Sequence, residues 1–156
     1  FGEERASRKI AKHLVIVRGQ TPFETTTQLA EFIEKIIPRR GKKIHPATKV
    51  FQALRIEVNG ELDALEKALK QAEFLLKPGG IMAVISFHSL EDRMVKHFFR
   101  SKSQKEIDRP EWPAPRPNPD YAFELITRKP ITATEQEVKR NPRSRSALLR
   151  VAKLDK

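Results

Sequence analysis

The sequence predicts an α/β fold, and three observations carry that prediction. Ile81 to Phe87 form an apolar run broken only by Ser86 and entered through Pro78-Gly79-Gly80. A run of this length without alternation reads as a strand covered on both faces, as in a parallel sheet between helices. Apolar residues at helical spacing lie on either side of it: Leu62, Leu65, Leu69, Ala72 and Leu76 before, Leu90, Met94, Val95 and Phe98 after. Two further strand-like segments, 122–128 and 147–153, follow toward the end of the chain.

Taken in order, residues 3–18 place Ala6, Ile10, Ala11, Leu14 and Val15 on one face and Arg5, Arg8, Lys9 and Lys12 between them. That is an amphipathic helix with a basic outer face, ended by Gly19. The threonines 25–27 offer caps for a second helix with Leu29, Phe32, Ile33, Ile36 and Ile37 inward, and Pro38 stops it. Residues 38–43, Pro-Arg-Arg-Gly-Lys-Lys, form a compact basic turn. Arg39, Arg40, Lys42 and Lys43 are phosphate-contact candidates there, beside the plainer reading of a solvated loop. Pro46 sits near the first position of a third helix, with Val50, Phe51, Leu54 and Val58 inward. Asn59-Gly60 separates it from a fourth helix, 61–76. Residues 101–119 are dense in proline and charge and read as an extended surface loop, in which Trp112 is expected to act as an anchor. Thr134, with Glu137 three residues on, caps a short helix to Arg140. A basic loop carrying Arg143 and Arg145 then leads into the last strand.

The candidate chemistry sits where the apolar strand meets the following helix. His88, Ser89, Glu91 and Asp92 fall within five residues, with Arg93 behind them. The carboxyl end of a strand is where open α/β sheets bind ligands. A local role competes with that reading: Ser89 and Asp92 match a capping box, and acids in a first helical turn suit the helix dipole. His88 takes no part in such a cap, which makes it the most site-like of the four.

Composition narrows the partner. The 156 residues hold 31 lysines and arginines against 20 acids, a net charge of +11, which points to a polyanion such as nucleic acid. There is no cysteine for a thiolate metal site or a disulfide, and no metal-ligand spacing. No apolar stretch approaches the roughly 20 residues of a membrane span, so no membrane association is expected. The paired glycines Gly79 and Gly80 precede a strand and do not open a helix, so no cofactor loop is expected in this chain.

The strand inventory is short for the fold. A strand covered on both faces needs neighbours on both edges, and only two others are present, both C-terminal to it. The expectation is therefore the C-terminal part of a larger α/β fold. A missing N-terminal part or a second copy of the chain, as a homodimer, would complete the sheet.

Residues 44–58 (Ile-His-Pro-Ala-Thr-Lys-Val-Phe-Gln-Ala-Leu-Arg-Ile-Glu-Val) and 75–100, with the core Pro-Gly-Gly-Ile-Met-Ala-Val-Ile-Ser-Phe-His-Ser-Leu-Glu-Asp-Arg, resemble the bacterial ribosomal RNA small-subunit methyltransferase H, or MraW, family. The opening Phe-Gly-Glu-Glu-Arg and the closing Asn-Pro-Arg-Ser-Arg-Ser-Ala-Leu-Leu-Arg-Val are similar to it too. The resemblance implies a cytoplasmic bacterial enzyme that uses S-adenosylmethionine to methylate N4 of a cytosine in 16S ribosomal RNA, with the small ribosomal subunit as partner. It implies a Rossmann-like class I methyltransferase sheet interrupted by a helical insertion. Residues 1–59 would be the later part of that insertion and 60–156 the C-terminal part of the sheet domain. The family's cofactor-binding motifs match no position here, so turnover by these residues alone is not expected. On this reading His88, Ser89, Glu91 and Asp92 are candidates for the substrate side of the pocket. Arg39, Arg40, Lys42, Lys43, Arg93, Arg143 and Arg145 are candidates for RNA contacts.

Two other readings compete. A non-catalytic basic RNA-binding module fits the charge, but one Trp, one Tyr and nine mostly core-spaced Phe offer no evident stacking platform. A hydrolase built on His88 with Glu91 or Asp92 lacks a nucleophile elbow or metal spacing.

Overall fold

A computed structural model of the chain describes residues 4–39, 41 and 44–155. The chain divides into two compact units with the boundary between Glu61 and Leu62.

The first unit is helical. Helix α1 (Ser7–Arg18) carries the buried Ile10, and α2 (Thr26–Ile36) the fully buried Ile33. Thr25 and Gln28 form a reciprocal capping box at the start of α2, which satisfies otherwise orphaned amides. Helix α3 (Ala47–Asn59) begins after Pro46 and ends on Gly60. Ile10, Ile33 and Ala47 form the centre of this unit, with Leu29, Phe32, Ile36, Ile37, Val50 and Phe51 against them. The inward face of α3 differs from the expected one. Ala47 and Ile56 are buried, whereas Leu54 is 42% and Val58 81% exposed. The apolar residues of α3 spread around more than one face, so spacing alone does not select the buried stripe.

The second unit opens at Leu62, the second residue of α4 (Glu61–Leu75), followed by β1 (Ile81–Ser86) and α5 (Ser89–Ser103). The turn into β1 requires both glycines. Gly79 has φ +80°, and a Cβ on Gly80 would lie 2.8 Å from the Lys77 carbonyl oxygen. The segment read as loop holds a two-residue ladder, β2 (Glu106–Ile107) with β3 (Arg116–Pro117). Then come β4 (Phe123–Leu125), β5 (Ile131–Thr132), α6 (Glu135–Arg140), a 3-10 turn (Pro142–Ser146) and β6 (Leu148–Leu154).

The main sheet runs β1-β6-β4, with β5 also on β6, and every pairing is antiparallel. This corrects the expected parallel setting of β1: among the described residues it is an edge strand. Its burial also alternates. Met82 and Ser86 are buried beneath the helices, while Ile81 is 51% and Ile85 58% exposed on the other face. Register places Ile85 opposite Leu149, and Leu149 opposite Ile131, so one apolar sheet face stands open among the described residues of this unit. The covered face packs Leu69, Met82, Val95, Phe99, Phe123, Ala152 and Leu154 into one core. Phe98, Phe99 and Phe123 meet there at tilted and edge-on angles, with ring centroids 5.7–6.1 Å apart. Asn118, nearly buried, donates to the carbonyls of Ser101 and Gln104 at 2.8 and 2.7 Å, which ties the end of the proline-rich segment to the C-terminus of α5.

Candidate functional site

The junction of β1 and α5 is built differently from the expected cap. The chain leaves β1 extended, so His88, at φ −141° and ψ 163°, is the N-cap and Ser89 the first helical residue. His88 Nδ1 accepts from the Glu91 amide at 3.3 Å. Glu91 Oε2 accepts from the amides of Phe87 and His88 at 2.8 and 3.3 Å. The capping box is therefore His88–Glu91, not Ser89–Asp92, and His88 does have a capping role.

That cap fixes the imidazole. With Nδ1 accepting from an amide, the ring proton sits on Nε2. Nε2 is buried and makes no hydrogen bond among the described residues. Glu91 Oε1 lies 3.3 Å from it, without hydrogen-bond geometry. A donor and a carboxylate acceptor thus stand side by side at the carboxyl end of β1. Ser89 is exposed next to them.

Asp92 belongs to a different arrangement. Arg150 Nε and Nη2 donate to its Oδ1 and Oδ2 at 2.8 and 2.9 Å, a bidentate pair with both side chains largely buried. Both Asp92 oxygens are engaged in holding α5 to β6. Sequence reasoning misses Arg150. Its signal is a lone cation inside the run Leu148-Leu149-Arg150-Val151-Ala152, which must find a carboxylate if the strand is buried.

The basic candidates are dispersed. Arg39 is exposed and lines a cleft of about 680 Å³ in the helical unit with Arg5, His45 and Lys49. Arg40, Lys42 and Lys43 lie outside the described residues. Arg93 is exposed on α5. Arg143 and Arg145 are exposed on the 3-10 turn, where the Asn141 side chain accepts from the Arg143 amide. Two guanidinium groups lie over the Trp112 ring, Arg109 at 5.0 Å and Arg116 at 4.8 Å from its centroid. A cleft of about 280 Å³ adjoins the Asp92–Arg150 pair and is lined by Lys96, Phe99, Arg100, Leu125, Thr127, Arg128 and Arg150. No helix among the described residues is long and apolar enough to cross a membrane.

Comparison with known proteins adds the context. A model of the MraW methylase family matches residues 1–155. The ribosomal RNA small subunit methyltransferase H of Ruegeria sp. is 53% identical over 155 residues, covering 98% of this chain and 47% of the relative. That of Syntrophotalea carbinolica is 53% identical over 152 residues, covering 96% and 48%. That of Magnetococcus marinus is 52% identical over 159 residues, covering 97% and 49%. The chain spans about half the length of the curated relatives it matches.

Proposed function

Because this chain belongs to the MraW methylase family, we propose that it forms the acceptor side of an enzyme that methylates N4 of a cytosine in 16S ribosomal RNA. The observation that carries the reading is the donor–acceptor pair at the end of β1. Cytosine presents an N4–H donor beside an N3 acceptor on its Watson–Crick edge. Glu91 Oε1 and His88 Nε2–H, 3.3 Å apart, are an acceptor beside a donor. A base looped out of RNA and read on that edge meets both groups.

The chemistry asks for such a pair. The N4 lone pair is delocalised into the ring, so the nitrogen is a weak nucleophile. It must be held in line at near-attack distance, and its departing proton must be accepted. S-adenosylmethionine would supply an electrophilic sulfonium methyl group. The glycine pair Gly79–Gly80 leads into a strand and does not fit a cofactor turn, so no residue here is assigned to hold it. In this reading Glu91 Oε1 accepts from N4 and receives its proton, His88 Nε2–H donates to N3, and Ser89 borders the base. Asp92 acts through Arg150, as a positioning residue that keeps α5 in place. Nε2 is buried in the free chain, so the base reaches it only when the surface above it opens.

In the same reading residues 1–59 contact substrate as a helical insertion, residues 60–156 complete a Rossmann-like domain, and Arg39, Arg40, Lys42, Lys43, Arg93, Arg143 and Arg145 contact RNA phosphates. The test is methyl transfer by the full-length gene product from tritiated S-adenosylmethionine to small ribosomal subunits, followed by nucleoside analysis. N4-methylcytidine is the expected product. Label confined to any other nucleoside, or none on RNA, rejects the reading.

A further inference from the structure

We infer that the cleft between α5 and the segment after β4 is a seat for a phosphodiester group of the RNA, an inference that rests on the RNA-methylating role proposed above. Lys96 and Arg100 stand four residues apart on α5, one helical turn, and so share a face. Arg128 closes the opposite side, after β4, and Phe99 and Leu125 line the cleft between them. Asp92 lies one turn before Lys96 and would ordinarily pair with it. Its two oxygens are instead taken by Arg150. Lys96, Arg100 and Arg128 accordingly have no ion pair among the described residues, and no acid lines the cleft. Arg150 spends two of its five N–H donors on Asp92, which leaves donors over on the fourth cation of the cleft.

Three uncompensated cations converging on a cleft of about 280 Å³ suit a group with several acceptor oxygens and charge. The guanidinium fork matches phosphate oxygens, and the apolar floor admits the adjoining sugar. No carboxylate or carboxamide lines the cleft to accept from a base edge, and Thr127 Oγ1 is occupied with the Val151 backbone. A lining of donors and positive charge without acceptors favours the backbone phosphate over a base edge. The cleft would anchor the strand flanking the target nucleotide and fix its register.

The experiment compares the full-length gene product with its Arg100→Gln/Arg128→Gln variant, both positions being exposed. Binding to a 16S ribosomal RNA fragment is measured by fluorescence anisotropy across a salt series. Lys67→Gln/Lys139→Gln serves as a control of equal charge loss, and Arg100→Lys/Arg128→Lys as the charge-preserving variant. The inference expects the log–log salt slope to flatten by roughly 0.7–0.9 per lost contact in the Gln variant, with the Lys variant and the control near wild type. An unchanged slope in the Gln variant of a wild-type protein that binds and methylates RNA overturns the cleft and leaves the function standing. A flattening equal to that of the control also overturns it. A wild-type protein that neither binds nor methylates RNA overturns the function and the cleft together. Urea titration of the Gln variant shows whether it folds. If it does not, the single Arg128→Gln change is read on the same scale, at about half the effect.

Discussion

Asp92 and Arg150 form a bidentate ion pair that fixes α5 to β6. Arg150 is 8% exposed, and among the described residues its guanidinium makes its bidentate pair with the Asp92 carboxylate. Removing one partner of a buried pair leaves the other uncompensated, at a cost of roughly 3–5 kcal/mol. Asp92→Asn is therefore expected to destabilise on that scale in urea denaturation, far beyond the loss of a helix-dipole interaction. Asp92→Asn combined with Arg150→Met should recover most of the loss, because no unpaired charge is left. Equal stability of the Asp92→Asn variant and the wild-type protein would show that the pair is solvent-screened. His88 answers to a different term. His88→Ala loses the N-cap and should cost about 1 kcal/mol, whereas His88→Asn keeps a capping acceptor and should cost a few tenths. The sequence points to the four polar residues but not to their duties. Ser is the better intrinsic N-cap, so Ser89 reads as the cap. The helix starts one residue earlier than that choice assumes, because β1 delivers the chain extended through His88. A one-residue register exchanges every role in the cluster.

At the level of elements, the helices are legible in the sequence and the sheet only partly so. Helical spacing locates α2, α4 and α5, and Pro38, Gly60 and Pro78 mark the ends of α2 and α4, because those signals are local. Sheet neighbours are not local. An apolar run says that a strand could be covered twice, and it cannot say by what. In the structure β1 pairs on one edge and presents Ile81 and Ile85 on an open face. Met82→Ala should then cost roughly 2–5 kcal/mol as a core truncation, while Ile85→Thr should stay within about 0.5 kcal/mol in this chain taken alone. Hydrogen exchange makes the same distinction along the backbone. Amides of β1 that point away from β6 should exchange far faster than those of β6 itself, which has neighbours on both sides. Uniform protection along β1 would mean that its free edge is covered in solution. Asn118 has no readable signal at all. It sits among prolines, and its partners are the carbonyls of a helix end 14 and 17 residues earlier in the chain.

For the molecule as a whole, charge and family membership pull in the same direction. A net charge of +11 on 156 residues favours a polyanion, and the family match covers residues 1–155. Lysines and arginines occur in both units. In the proposed function the small polar cluster at the end of β1 faces the target cytosine. Glu91→Gln and His88→Asn test it with the least structural damage, since Gln preserves a capping box and Asn preserves a cap. The measurement is single-turnover methyl transfer to small ribosomal subunits by the full-length gene product, alongside urea denaturation of the same preparations. The account predicts near-wild-type stability with a rate lowered by about 100-fold in each variant. Wild-type rates in two folded variants, or rates that merely follow stability, would contradict it.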